Sequence, residues 1–215
     1  MIKIENIEVF NFEGAIRGMR NPLNSWDKSD SDIVVWHDTD NEWDEPIREF
    51  VIGDADLELM RKLYKAGTEH RKYLRQIFVS MDITAPRYWF SELDTYKVGT
   101  TSNSCSTMHT IHKKEFTADD FSCEHIFNQP IFNNLVDDLN DLRKEFIETK
   151  DKRLWYAMIQ LLPQSYNQRR TITMNYENVM NIIHQRENHK LDEWREFCEE
   201  LKKLPYVEEI REDEK

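Results

Sequence analysis

Ile2, Ile4, Ile7 and Val9 alternate with charged and polar neighbours over residues 2–10. That period of two predicts a strand. Ile33 to Trp36 and Phe50 to Ile52 are short apolar runs and read as two more strands. The period changes after Asp54, where Leu57, Met60, Leu63 and Tyr64 share one helical face and Gly67 supplies a stop. Ile77 to Ile83 is β-branched and aromatic, which suits a central strand, and Ala85-Pro86 opens a helix with proline in its first turn. Helical spacing returns at 131–148 and 152–162, and Leu162-Pro163 ends the second segment. The strand-like TITM precedes a helix at 176–186, and a last helix at 189–204 turns Leu191, Trp194, Phe197, Cys198 and Leu201 inward. Residues 14–31 and 97–112 are polar and read as turns and loop. Without repeats or a long linker, the pattern predicts one α+β domain over 1–215. Helices dominate it, and the acidic tail 207–215 is expected to be mobile.

The chain has 215 residues, 39% hydrophobic and 12% aromatic, enough for a real core and too apolar for a disordered segment. Its five glycines, Gly14, Gly18, Gly53, Gly67 and Gly99, have no spacing that makes a dinucleotide fingerprint or a Walker loop. A net charge of -12 argues against a nucleic-acid track or an anionic membrane surface. No apolar run reaches the roughly 18 residues of a spanning helix. The alternating, acid-bearing MIKIENIEVFNFEG is unlike a signal peptide. Three cysteines, Cys105, Cys123 and Cys198, cannot all pair with one another. A reduced cytoplasmic setting is therefore expected.

Within this acidic chain, positive charge gathers at 61–75 (Arg61, Lys62, Lys65, Arg71, Lys72, Arg75) and at Arg169, Arg170 and Arg186. These are the places to look for a bound anion. Cys105, His109, His112, Cys123 and His125 lack the spacing of a closed zinc site. The run Asp38, Asp40, Glu42, Asp44 has Trp43 where a calcium loop needs glycine. No metal is expected.

Two segments resemble the flavin-dependent thymidylate synthases. In LPQSYNQRRTITMNYENVMNIIHQR, Leu162, Pro163, Thr173, Asn175, Met180, Asn181 and Arg186 match the family's pattern without a gap. In the block 67–108, Gly67, the strand IFVSMDI and Ala85-Pro86 match in turn. The family's Arg-His-Arg signature then reads Thr95, Tyr96, Lys97, followed by eight residues and Ser106. The family's Asn-Glu before that serine is Asn103-Ser104 here, its following arginine is Met108, its flavin-adjacent histidine is Gln76, and its arginine ahead of Leu-Pro is Ile159.

The resemblance implies a family-like α+β fold, a central antiparallel sheet with packed helices, and assembly as a homotetramer. It implies FAD as cofactor, held by Asn175, His70, Arg71, Gln76 and Asn181. It places Lys97, Asn103, Ser106, Arg169 and Arg170 at a pyrimidine nucleotide such as dUMP. Arg186 is the implied catalytic cation, polarising the base. The implied reaction is reductive methylation of dUMP with methylenetetrahydrofolate and NADPH. Each residue also has a plainer reading. Asn175 can cap a helix, Arg186 can complement a helix dipole, Ser106 can bond its own turn, and Arg169 and Arg170 can pair with surface acids. The altered signature supports an alternative, a non-catalytic relative that binds a nucleotide or serves as an interaction module. A third possibility is an unrelated α+β fold.

Overall fold

The computed structural model describes residues 2–36 and 46–212. The acidic run Asp38, Asp40, Glu42, Asp44 lies outside them. The fold is α+β. A four-stranded antiparallel sheet has the order β1-β4-β6-β5, from β1 (Lys3–Phe10), β4 (Phe78–Pro86), β5 (Thr101–Ser104) and β6 (Asn167–Asn175). A separate hairpin pairs β2 (Asp32–Trp36) with β3 (Ile47–Val51), Val34 opposite Glu49.

The chain divides into two compact units. Unit 1 is Met1–Ile7, Ser80–Thr173 and His189–Phe197, and unit 2 is Glu8–Val79, Met174–Asn188 and Cys198–Lys215. Their boundaries fall inside β1, β4 and β6, inside the helix Asp192–Lys202 and in the turn before it.

In unit 1, β4 keeps the alternation that its sequence carries. Met81 and Ile83 are buried, while Ser80, Asp82 and Thr84 are half-buried on the opposite face. After it, α3 (Arg87–Leu93) starts behind Pro86 and buries Trp89 and Phe90. Trp89 packs on Trp194 at 4.8 Å and on Phe197 at 5.2 Å between ring centroids. A short α4 (Thr107–Thr110) follows β5, which occupies part of the segment expected as loop. All four β5 residues, Thr-Ser-Asn-Ser, are exposed and polar, so no hydrophobic period announced the strand. Helix α5 (Gln129–Thr149) is capped by Asn128, whose side chain accepts from the Ile131 N–H, and Asp151 caps α6 (Lys152–Leu161) on the Arg153 N–H. Phe116, Phe121, Phe132, Leu139, Met158 and Leu162 form a second core in this unit.

In unit 2, the segment expected as turns instead opens with α1 (Phe12–Arg20), which buries Ala15, Ile16 and Met19. Two glycines within nine residues weaken its helical signal. At Gly18 a Cβ would meet the tip of the Gln76 side chain, Oε1 at 2.5 Å, so a larger residue there would have to move that side chain. Helix α2 (Asp54–Lys65) has Asp54 and Asp56 in its first turn and Lys62 and Lys65 in its last, matching its dipole. Gly67 follows with φ 102°. Arg20 and Asp56 make a buried ion pair at 2.6 Å. Ser29 and Ser31 donate to the same carboxylate. Helix α7 (Tyr176–Arg186) buries Val179, Met180, Ile182 and Ile183. Helix α8 (Asp192–Lys202) carries the chain from unit 1 back into unit 2. The tail expected to be mobile holds α9 (Val207–Arg211), with Val207 and Ile210 buried. No helix among the described residues is long and apolar enough to cross a membrane.

Candidate functional site

In unit 2, the turn ahead of β4 and the first turns of α7 bring polar groups together. The Asn175 side chain accepts from the Asn178 N–H at 3.0 Å and so fixes the start of α7. Its plainer reading as a cap therefore holds. Along that helix, Glu177 and Asn181 are four residues apart and share a face. Arg71 donates to both: Nε to Glu177 Oε1 at 3.3 Å and Nη2 to Asn181 Oδ1 at 3.4 Å. Its guanidinium also lies 5.5 Å from the Tyr64 ring centroid. Arg75 approaches the other side of the carboxylate, Nε on Oε2 at 2.5 Å and Nη2 on Oε1 at 3.3 Å. That contact raises the Arg75 pKa above its ordinary value.

Of the expected cofactor residues, Arg71 and Asn181 are thus in direct contact. His70 is exposed in the turn that follows Gly67, its N–H bonded to the Gly67 carbonyl at 3.0 Å. Gln76 is exposed, and its carbonyl accepts from Asn11 Nδ2 at 2.8 Å. Arg186 is half-buried at the end of α7. Arg75 belongs to the cationic run 61–75 expected to attract an anion, whereas Glu177 was not singled out. An acid in a first helical turn reads as a dipole partner. Its spacing of four from Asn181, in a chain with a cationic run at 61–75, was the available signal.

In unit 1, the β6 residues Arg169 and Arg170 are neighbours on a strand and so point to opposite faces. They do not line one phosphate pocket together. Arg169 Nη2 bonds Asp82 Oδ2 at 2.8 Å, and its Nη1 lies 3.8 Å from Glu5. Asp82 also accepts from Thr171 and from Asn6, and these three donors hold its carboxyl well below the usual carboxylate range. Arg170 Nη1 bonds Asp94 Oδ1 at 2.8 Å, and its guanidinium sits 4.1 Å from the Phe90 ring centroid. The plainer reading of both arginines as ion-paired therefore holds in this structure.

Asn103 lies opposite Thr171 in the β5–β6 ladder and is exposed. Ser106 caps α4, accepting from the His109 N–H. Lys97 is exposed beyond α3. A pocket of about 230 Å³ opens beside these elements, lined among others by Cys105, Thr107, Lys114, Tyr166, Gln168 and Arg169. Lys114 is paired with Asp120, which raises its pKa. Gln168 Nε2 donates to the Cys105 carbonyl at 3.1 Å. Of the expected substrate residues, only Arg169 lines this pocket; Asn103 and Ser106 flank Cys105 in sequence, and Lys97 and Arg170 are not part of it. No group of three or more potential metal-ligating side chains comes together among the described residues.

Compared with solved structures, the whole chain matches thymidylate synthase X (ThyX) from Helicobacter pylori, solved with FAD and dUMP. The match covers 99% of this chain and 100% of that one, with a TM-score of 0.68 and 13% identity. A second structure, flavin-dependent thymidylate synthase ThyX from Helicobacter pylori complexed with FAD and dUMP, matches over 92% of each chain at a TM-score of 0.63 and 15% identity. The chain has the ThyX fold. Neither a family model nor a curated protein matches its sequence. At such low identity the likeness concerns the backbone. The chemistry of each site rests on the side chains present in this chain.

Proposed function

We propose that this protein is a divergent flavin-dependent thymidylate synthase-like enzyme that binds FAD and a pyrimidine nucleotide such as dUMP. The observation that carries the reading is the Arg71–Asn181 contact at the start of α7, inside a fold shared with structures holding FAD and dUMP. The donor set fits the cofactor. Two guanidiniums share one carboxylate, and an amide and the exposed His70 stand beside them. Such donors suit phosphate oxygens and flavin carbonyls. When bound, FAD reduced by NADPH supplies the reducing equivalents for transfer of the one-carbon unit of methylenetetrahydrofolate to carbon 5 of dUMP.

The chain's own residues bind and orient. Asn175, Asn181, Arg71, His70 and Gln76 hold the flavin nucleotide. Arg186 offers a permanent positive charge to the pyrimidine ring. Ser106, Asn103, Lys97 and one of Arg169 or Arg170 contact the nucleotide. Assembly as a homotetramer and a cytoplasmic location complete the proposal.

A second reading is a relative that binds nucleotide without turnover. It is favoured by the signature position, where Thr95 Oγ1 donates to the Glu92 carbonyl and Lys97 is the single remaining cation of the triplet. It is also favoured by the carboxylates already paired with Arg169 and Arg170.

The visible absorption spectrum of the purified protein tests the flavin, and bands of bound flavin are expected. A colourless protein that takes up no added FAD rejects the enzyme. Complementation of a thymidine auxotroph then separates the two readings. Growth without thymidine supports catalysis, and failure with good expression supports binding alone.

A further inference from the structure

We propose that Glu177 is a positioning residue that holds Arg71 and Arg75 side by side as a two-guanidinium clamp for the phosphates of a bound dinucleotide. The proposal rests on the flavin reading above and assigns part of that site to one end of the cofactor. Both oxygens of the Glu177 carboxylate are used, Oε1 by Arg71 and by Arg75 Nη2, and Oε2 by Arg75 Nε. The Glu177 side chain is only 14% exposed, on a helix whose start is fixed by the Asn175 cap. It is therefore a stiff anchor for two long side chains. Arg71 is further fixed by Asn181 and by the Tyr64 ring. Arg75 is 44% exposed, and Glu177 is the partner that orients it. These bonds use Nε and Nη2 of each guanidinium, leaving the Nη1 groups outside them. Two such Nη1 groups side by side offer charge-assisted donors to the oxygens of a phosphate.

The clamp and simple electrostatics predict opposite signs. A carboxylate beside an anion site weakens anion binding by Coulomb repulsion, so removing its charge should tighten FAD. If the carboxylate instead pre-orients the two arginines, removing it should loosen FAD despite the added net positive charge.

The test measures FAD and riboflavin affinity of the full-length protein by fluorescence titration, for the wild type, Glu177→Gln and Arg75→Ala. Riboflavin lacks the phosphates and serves as the control. Both variants are expected to bind FAD about tenfold more weakly, the scale of one charge-assisted hydrogen bond, with riboflavin affinity unchanged. FAD bound as tightly as in wild type, or more tightly, by E177Q overturns the clamp, as does an equal loss for riboflavin. If E177Q fails to fold, Glu177→Asp decides: it keeps the charge but shortens the reach to the two arginines, so weaker FAD binding at unchanged riboflavin affinity supports the clamp and unchanged FAD affinity overturns it. A wild type that binds neither ligand rejects the flavin reading, and the clamp with it. A wild type that binds both and a variant that behaves like it reject the clamp alone.

Discussion

Single carboxylates carry much of the specific structure in this acidic chain, and they do so in two ways. Asp56 is fully buried against Arg20, itself 4% exposed. Burial alone would raise its pKa, but hydrogen bonds from Ser31, Ser29 and Arg20 outweigh it and keep the group below its ordinary value. Removing one member of such a pair strands a buried charge. Asp56→Ala should therefore cost about 3–5 kcal/mol in urea unfolding. A loss below about 1 kcal/mol would contradict the pair's role. Asp82 works on the outer face of the sheet in unit 1, where Thr171, Arg169 and Asn6 depress its pKa. Its stabilising contribution is complete above the unfolded value of about 3.9 and is lost as pH falls from there through the depressed folded value. The difference in thermal midpoint between wild type and Asp82→Asn should therefore be constant near neutrality and shrink below about pH 4. Parallel curves down to pH 2 would exclude this linkage.

Elements were legible where one face is buried and a cap marks the start. Helices α5, α6 and α7 met both conditions, α2 showed its apolar face and the Gly67 stop without a side-chain cap, and β4 displayed its alternation openly. Elements whose reason lies elsewhere in the fold were not legible. Helix α1 is short and holds two glycines that face the Asn11 and Gln76 side chains, and β5 has no buried residue at all. The same limit applied to the polar cluster at the start of α7. A resemblance carried by sequence order singled out Asn175, Asn181 and Arg71 as candidates, but the bridge through Glu177 joins positions 102 and 106 residues apart. No local pattern reports such a pairing. Helix α9 shows what composition hides, because seven charged residues in the last eight suggested a solvated tail. Yet Val207 and Ile210 are fully buried, and Arg61 Nε donates to the Glu209 carbonyl at 2.6 Å. Deleting residues 207–215 should thus lower stability by about 3–6 kcal/mol, at about 1.5–3 for each buried aliphatic side chain. Calorimetry showing an unchanged thermal midpoint would restore the mobile tail.

For the whole molecule, backbone and side chains resemble ThyX to different extents. The shared fold spans 99% of the chain at 13% identity, while the position matched to the family's Arg-His-Arg signature reads Thr95, Tyr96 and Lys97. A fold tolerates such differences because its core depends on apolar volume and pattern, whereas a nucleotide site depends on particular donors at particular places. A net charge of -12 adds to the demand, since a dianionic nucleotide approaches against the summed field and needs local cations to be held. Arg186 is the cation at which the aligned block and the proposed function meet. If dUMP binds, a concentration of 100 times its Kd should stabilise the protein by about 2.7 kcal/mol. For a chain of this size that is a rise of roughly 5–10 °C in thermal midpoint. Arg186→Ala should abolish the rise while leaving FAD absorbance close to wild type. A rise that persists in R186A would place the nucleotide elsewhere. A wild type that shows no rise, yet binds FAD, would restrict this fold to the flavin and leave Arg186 the plainer task of closing α7 against its dipole.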